Sequence, residues 1–128
     1  MSRFWSKLLP DEIADAVAPV FEHATPIELI FGEEATIGPK NTAVHLIKNA
    51  HAPKRLHLQL VQLLNELGVT YTLPQFVGEG YLPHVSKRAG ALFAAGSHRV
   101  AGVAYLVEVE IRGEDHLRYV RAKFDLNG

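Results

Sequence analysis

From Val103 to Ile111 the chain alternates one residue at a time: Val103, Tyr105, Val107, Val109 and Ile111 are separated by small or charged residues, a period that belongs to a strand with one buried face. Arg112, Gly113, Glu114 and Asp115 follow with turn chemistry, and Leu117 to Leu126 reads as the returning strand of a hairpin. On that second strand strict alternation puts Leu117, Tyr119, Arg121, Lys123 and Asp125 on one face. Arg118, Val120, Ala122, Phe124 and Leu126 fall on the other. A chain that commits so many residues to an antiparallel pair has to build the rest of its core around a sheet.

The amino-terminal half supplies what can cover such a sheet. Pro10, Asp11 and Glu12 make a good helix start, with proline early and acids near the positive end of the helix dipole. Ile13, Val17, Val20 and Phe21 recur at helical spacing, and Pro19 is expected to kink or shorten the last turn. Ile27 to Phe31 and Ala43 to Lys48 are strand-like, with Gly32, Gly38 and Pro39 marking the connection between them. Pro53 to Leu67 reads as a helix with Leu56, Leu60, Leu63, Leu64 and Leu67 as its apolar stripe, and Gly68 is placed as its left-handed cap. The expected fold is α+β, an antiparallel sheet with two main helices on one face, in a single domain over residues 1–128.

Composition narrows the function classes. With 48% apolar residues, a core is affordable and disorder is not expected. A formal charge of −1 gives no global attraction to nucleic acid, so any RNA contact has to come from a local basic patch, and a small or end-specific substrate fits better than a long duplex. The chain has no cysteine, which excludes disulfides, thiolate nucleophiles and cysteine-ligated zinc. No signal peptide or membrane-length apolar run is visible, and the reading is a soluble, cytoplasmic protein without a membrane partner.

The stretch Tyr81, Leu82, Pro83, His84, Val85, Ser86 carries the chemistry. Side chains of a strand alternate, so His84 and Ser86 share a face with Val85 on the other. An imidazole titrates near neutral pH and a hydroxyl can hold an oxygen in place. Pro83, which lacks a backbone donor, suits a strand entry or an edge. This run resembles the second signature of the two-histidine (2H) phosphoesterase superfamily, which includes 2'-5' RNA ligase-like proteins and cyclic nucleotide phosphodiesterases. There the signature is histidine, an apolar residue, then threonine or serine, preceded by an aromatic and a proline. The upstream order of strand, strand and leucine-rich helix is also similar, so the likeness covers roughly residues 26–87. The family carries its signature twice, the first copy ahead of the helix that Pro10 to Phe21 would match, and Met1 to Leu9 holds no histidine. The chain is therefore expected to lack the family's amino-terminal strand and first motif. His23, Ala24, Thr25 spells the pattern, but at a helix end, before Pro26.

The resemblance implies a metal-independent and cofactor-free hydrolysis or transfer at a cyclic phosphate or a 2'-5' phosphodiester of RNA or a nucleotide. One histidine acts as base, another as acid, and the hydroxyl donates to a phosphate oxygen. His84 and Ser86 are then the catalytic candidates. Tyr81 could stack on a base, while Lys87 and Arg88 could meet phosphate. His45, in a strand-like stretch, could face the same groove. His51, His98 and His116 read as loop or turn residues and His57 as a solvated helix position. No histidine pair has helical zinc spacing, so no metal is expected. Three functions stay open: a phosphodiesterase or ligase-like hydrolase whose second histidine comes from His45, another position or a subunit interface; a degenerate relative that holds a nucleotide without turnover; and a structural or interaction domain. In the third, an uncovered sheet edge is closed by homodimerisation, with Phe4, Trp5, Leu8 and Leu9 helping to cover it.

Overall fold

The computed structural model describes residues 3–38, 40–72, 74, 77–78, 81, 83–86 and 98–126; for residues 84–86 and 98 it describes the backbone path. The fold is α+β, with two helices and antiparallel sheets. The elements are β1 (Phe4–Trp5), α1 (Pro10–Glu22), β2 (Ile27–Ile37), β3 (Thr42–Ile47), α2 (His51–Glu66), β4 (Thr70–Tyr71), β5 (His84–Ser86), β6 (His98–Ala101), β7 (Val103–Arg112) and β8 (Asp115–Asp125). Where the sequence predicts one sheet, these strands form three: β1 with β4, the four-stranded order β5-β3-β2-β6, and the β7–β8 hairpin.

Both helices follow from their apolar spacing. Ile13, Val17 and Phe21 of α1 are buried at intervals of four. Proline at its first position costs no internal bond, and the Glu12 carboxylate accepts the Leu9 N–H at 3.2 Å. Pro19 sits inside α1, which runs on to Glu22 rather than stopping short. On α2, Pro53, Leu56, Leu60 and Leu64 are buried, and Gly68 ends the helix as the sequence predicts. At φ +74°, Gly68 sends its N–H to the Asn65 carbonyl (3.1 Å) while Val69 N–H reaches Leu64 (3.4 Å), the two bonds of a Schellman motif. These faces meet Ile27, Phe124 and Leu126 in the main core, where the Phe21 and Phe124 rings stack at 4.9 Å.

Two bulges decide which strand residues face that core. On β2, Phe31 pairs with Ile47 and Glu34 with His45, so one extra residue sits at Gly32–Glu33, and the strand continues through Gly32 instead of turning there. Gly32 is needed for a close approach: a Cβ there would stand 3.1 Å from both the Leu46 carbonyl oxygen and Cγ of Lys48. Gly32→Ala is expected to destabilise the protein by about 1–3 kcal/mol through this overpacking, measurable as a lower denaturant midpoint with an unchanged slope.

The second bulge lies on β8. Leu106 pairs with Ala122 and Val107 with Val120, which leaves Arg121 as the extra residue. Strict alternation therefore fails: Phe124 and Ala122 share a face with Tyr119 and Leu117, not with Val120 and Arg118. The face of β7 that meets the core is that of Ala104 and Leu106, while Val103, Tyr105, Val107 and Ile111, predicted to be buried, are exposed. Beyond the bulge Arg121 pairs with Glu108 (2.6 Å), and Arg112 (2.7 Å) and Tyr119 (3.3 Å) both reach Glu110. These ion pairs are solvated and stabilise little individually. No helix among the described residues is long and apolar enough to cross a membrane.

Candidate functional site

The signature run forms a short strand at one end of the four-stranded sheet. His84–Ser86 is β5, entered from Pro83, and it pairs antiparallel with β3 so that Leu46 lies opposite His84, His45 opposite Val85 and Val44 opposite Ser86. The Pro83 carbonyl accepts the Ile47 N–H at 3.2 Å, which extends the pairing by one bond. Proline keeps its acceptor while missing a donor, so it can stand at this strand entry. Residues directly opposed in an antiparallel pair share a face. Positions 84 and 86 therefore lie on the face of Leu46 and Val44.

His45 stands on the other face, with position 85. Through Ile47 and Phe31 that face continues to Leu29 and Ile27, which are turned to the main core. The imidazole of His45 is 4% exposed, its ring is 6.2 Å from that of Phe31, and its Nε2 lies 4.0 Å from a Glu34 carboxylate oxygen. The pairing thus does not bring His45 to the groove of His84, because it stands one residue along β3 from each of the positions opposed to 84 and 86. Lys87 and Arg88 lie outside the described residues.

Tyr81, half-buried, already stacks on a neighbour of its own chain. One face of its ring is taken by His57, with centroids 4.0 Å apart and planes at 21°, and burial raises the pKa of its hydroxyl above the ordinary value. His57, read from the sequence as solvated, is 0% exposed. Its Nε2 accepts the Gly78 N–H at 2.8 Å, and burial holds its pKa below the ordinary 6.5. An acceptor at Nε2 is unprotonated, so the neutral ring carries its proton on Nδ1. The pair fastens the segment that leads into β5 onto α2. The sequence held a signal for this: His57 lies four residues after Pro53 and three before Leu60, on the same helix side as both.

The structure adds two residues to the face of positions 84 and 86. Lys48 is exposed, follows Leu46 at a spacing of two, and has its Cγ against Gly32, which puts a lysine on this face past Leu46. His98, read as a loop residue, opens β6 and pairs with Ile30, which places position 98 on this same face. Three strand spacings of about 4.8 Å put it roughly 14 Å from β5 across the sheet. That is well beyond hydrogen-bond reach, so positions 84 and 98 do not form a contacting pair. Val44 is 1% exposed and Leu46 half-buried, while Lys48, Glu28 and Val100 are exposed, so the face is covered beside position 86 and opens past position 84. Asn49 braces this open end, accepting the Ile30 N–H at 3.0 Å and donating to the Glu28 carbonyl at 2.9 Å.

Position 84 and Lys48 thus lie toward the open end of this face, with position 86 further in, opposite the buried Val44. No protein-family model, no curated protein and no solved structure matches the chain.

Proposed function

We propose that the chain holds, and acts on, a cyclic phosphate or a 2'-5' phosphodiester at the end of an RNA or on a nucleotide. The observation that supports this reading is that His84–Ser86 is a strand whose register puts positions 84 and 86 on one face, with Lys48 as a cation beyond Leu46. On this reading water attacks the phosphorus in line and releases its proton to solvent, the bond to the bridging oxygen breaks as the protonated His84 imidazole gives that oxygen a proton, the Ser86 hydroxyl donates to a non-bridging oxygen, and Lys48 balances the phosphate charge. The test is incubation with a 2',3'-cyclic nucleotide and with a 2'-5'-linked dinucleotide, following both product and thermal shift. Wild type should give product, and His84→Ala should lower turnover by about 10²- to 10⁴-fold. No product and no shift with either probe overturns the proposal.

A second reading is that of a degenerate holder, which binds the phosphate without turning it over. It is favoured by the fates of the described histidines: His45 is on the opposite face and His57 is committed to Gly78. Thermal shifts with 2',3'-cyclic nucleotide, lost in Lys48→Glu and unaccompanied by product, would select it over the enzyme.

A further inference from the structure

The β7 strand pairs with β8 along one edge, and among the described residues its other edge has no strand partner. A groove of about 340 Å³ lies beside β7. Its lining takes in Leu106 and Glu108 from one face of β7, Val107 and Val109 from the other, Arg121 of β8, and Phe4 and Trp5 of the amino-terminal segment. An edge without a strand partner is where unpaired N–H and C=O groups wait for another strand. Among the described side chains of the candidate site, neither Lys48 nor Tyr81 lines the groove.

We propose that this edge pairs antiparallel with the β7 edge of a second copy of the chain, about a two-fold axis at Val107, joining the two hairpins into one four-stranded sheet. The sequence of β7 is self-complementary in this register. Val107 meets its own counterpart, Tyr105 meets Val109, and Val103 meets Ile111, so the apolar row pairs with itself throughout its length. Glu108 falls opposite Leu106 and Glu110 opposite Ala104, so no like charges are directly opposed. Both carboxylates are already matched within their own chain, by Arg121 and Arg112. Moving the axis to Glu108, Val109 or Glu110 sets acid against acid, and moving it to Leu106 or Tyr105 leaves Ile111 without a partner on β7, so charge and length together favour this register. The strand contains no proline and no lysine, its bulge is on the partner strand β8, and its charged residues Glu108, Glu110 and Arg112 are engaged with Arg121 or with one another. Joining the hairpins makes one continuous sheet face of residues that are otherwise exposed, among them Tyr105 at 57% and Ile111 at 55%.

Sedimentation across a concentration series tests this, using wild type, Val107→Lys, Val107→Glu and an equimolar mixture of the two variants. Wild type should dimerise reversibly. Each variant alone should raise the dissociation constant by about 100-fold or more, since like charges then meet at the axis. The mixture, where lysine faces glutamate, should restore the dimer. Should the variants fail to fold, hydrogen exchange on wild type decides: amides of residues 103–112 should gain protection as concentration rises. A wild type that stays monomeric through the micromolar range, a dimer indifferent to both variants, or a gain in protection elsewhere than on β7 overturns the proposal.

Discussion

Phe124→Ala is expected to lower the free energy of unfolding by about 3–5 kcal/mol, the cost of deleting a buried aromatic ring and leaving its cavity. Phe124 is 8% exposed on β8 and stacks on Phe21 of α1 at 4.9 Å, in the cluster that also holds Ile27 of β2 and Leu60 of α2. Both helices and two of the sheets therefore lose packing at once. Domains of this size are stable by about 5–15 kcal/mol, so the loss is a large share of the whole. Denaturant unfolding followed by circular dichroism measures it. A midpoint within experimental scatter of wild type would mean that the Phe21–Phe124 contact does not organise the core.

Removing the His57 ring should be the next most damaging change. His57→Ala empties a fully buried position, strips the ring stacked on Tyr81 and leaves the Gly78 N–H without its acceptor. Together these are expected to cost about 2–4 kcal/mol. His57→Phe keeps an aromatic against Tyr81 and loses the hydrogen bond alone, about 1–3 kcal/mol. The two variants separate packing from polarity. The pH dependence has a definite sign. In the folded chain the pKa of His57 is held below 6.5 by burial, whereas the unfolded chain takes up the proton near that value. The unfolded state then binds more protons, and stability contributed by this residue is present above about pH 6.5 and lost as pH falls through the folded pKa. Melting curves of wild type and His57→Phe at pH 7.5 and 5.5 should differ in slope against pH, with wild type losing more on acidification. Equal slopes would show that His57 does not accept from the Gly78 N–H.

The helices were legible because their apolar residues recur at three and four: α1 and α2 start and stop within two residues of the positions read from Pro10, Pro53 and Gly68. The signature strand was legible from period two and from Pro83 at its entry. Strand partners were not, because alternation shows that a segment is extended but is silent about which distant segment lies beside it. Hence three sheets stand where one was read, and His98 belongs to β6 rather than to a loop. The faces of β8 were misread at Arg121, a bulge residue with nothing in its side chain to mark it. At Gly32 a mark existed, but a glycine in a strand can mean a turn or a bulge, and only the nearness of Leu46 and Lys48 decides. His45 was read into the groove of His84 because period two along one strand gives relative faces only. The pairing of β3 with β5 fixes them absolutely.

The extra residues at Gly32–Glu33 and Arg121 act on inside and outside as a frameshift acts on codons. Upstream and downstream of each, the same odd–even rule holds with its sign reversed. A one-residue deletion at either point is therefore a correction of phase that exchanges the two sides of everything between it and the next turn. Evolutionary drift in this chain can change many residues within a phase, but the count between phases has to be kept.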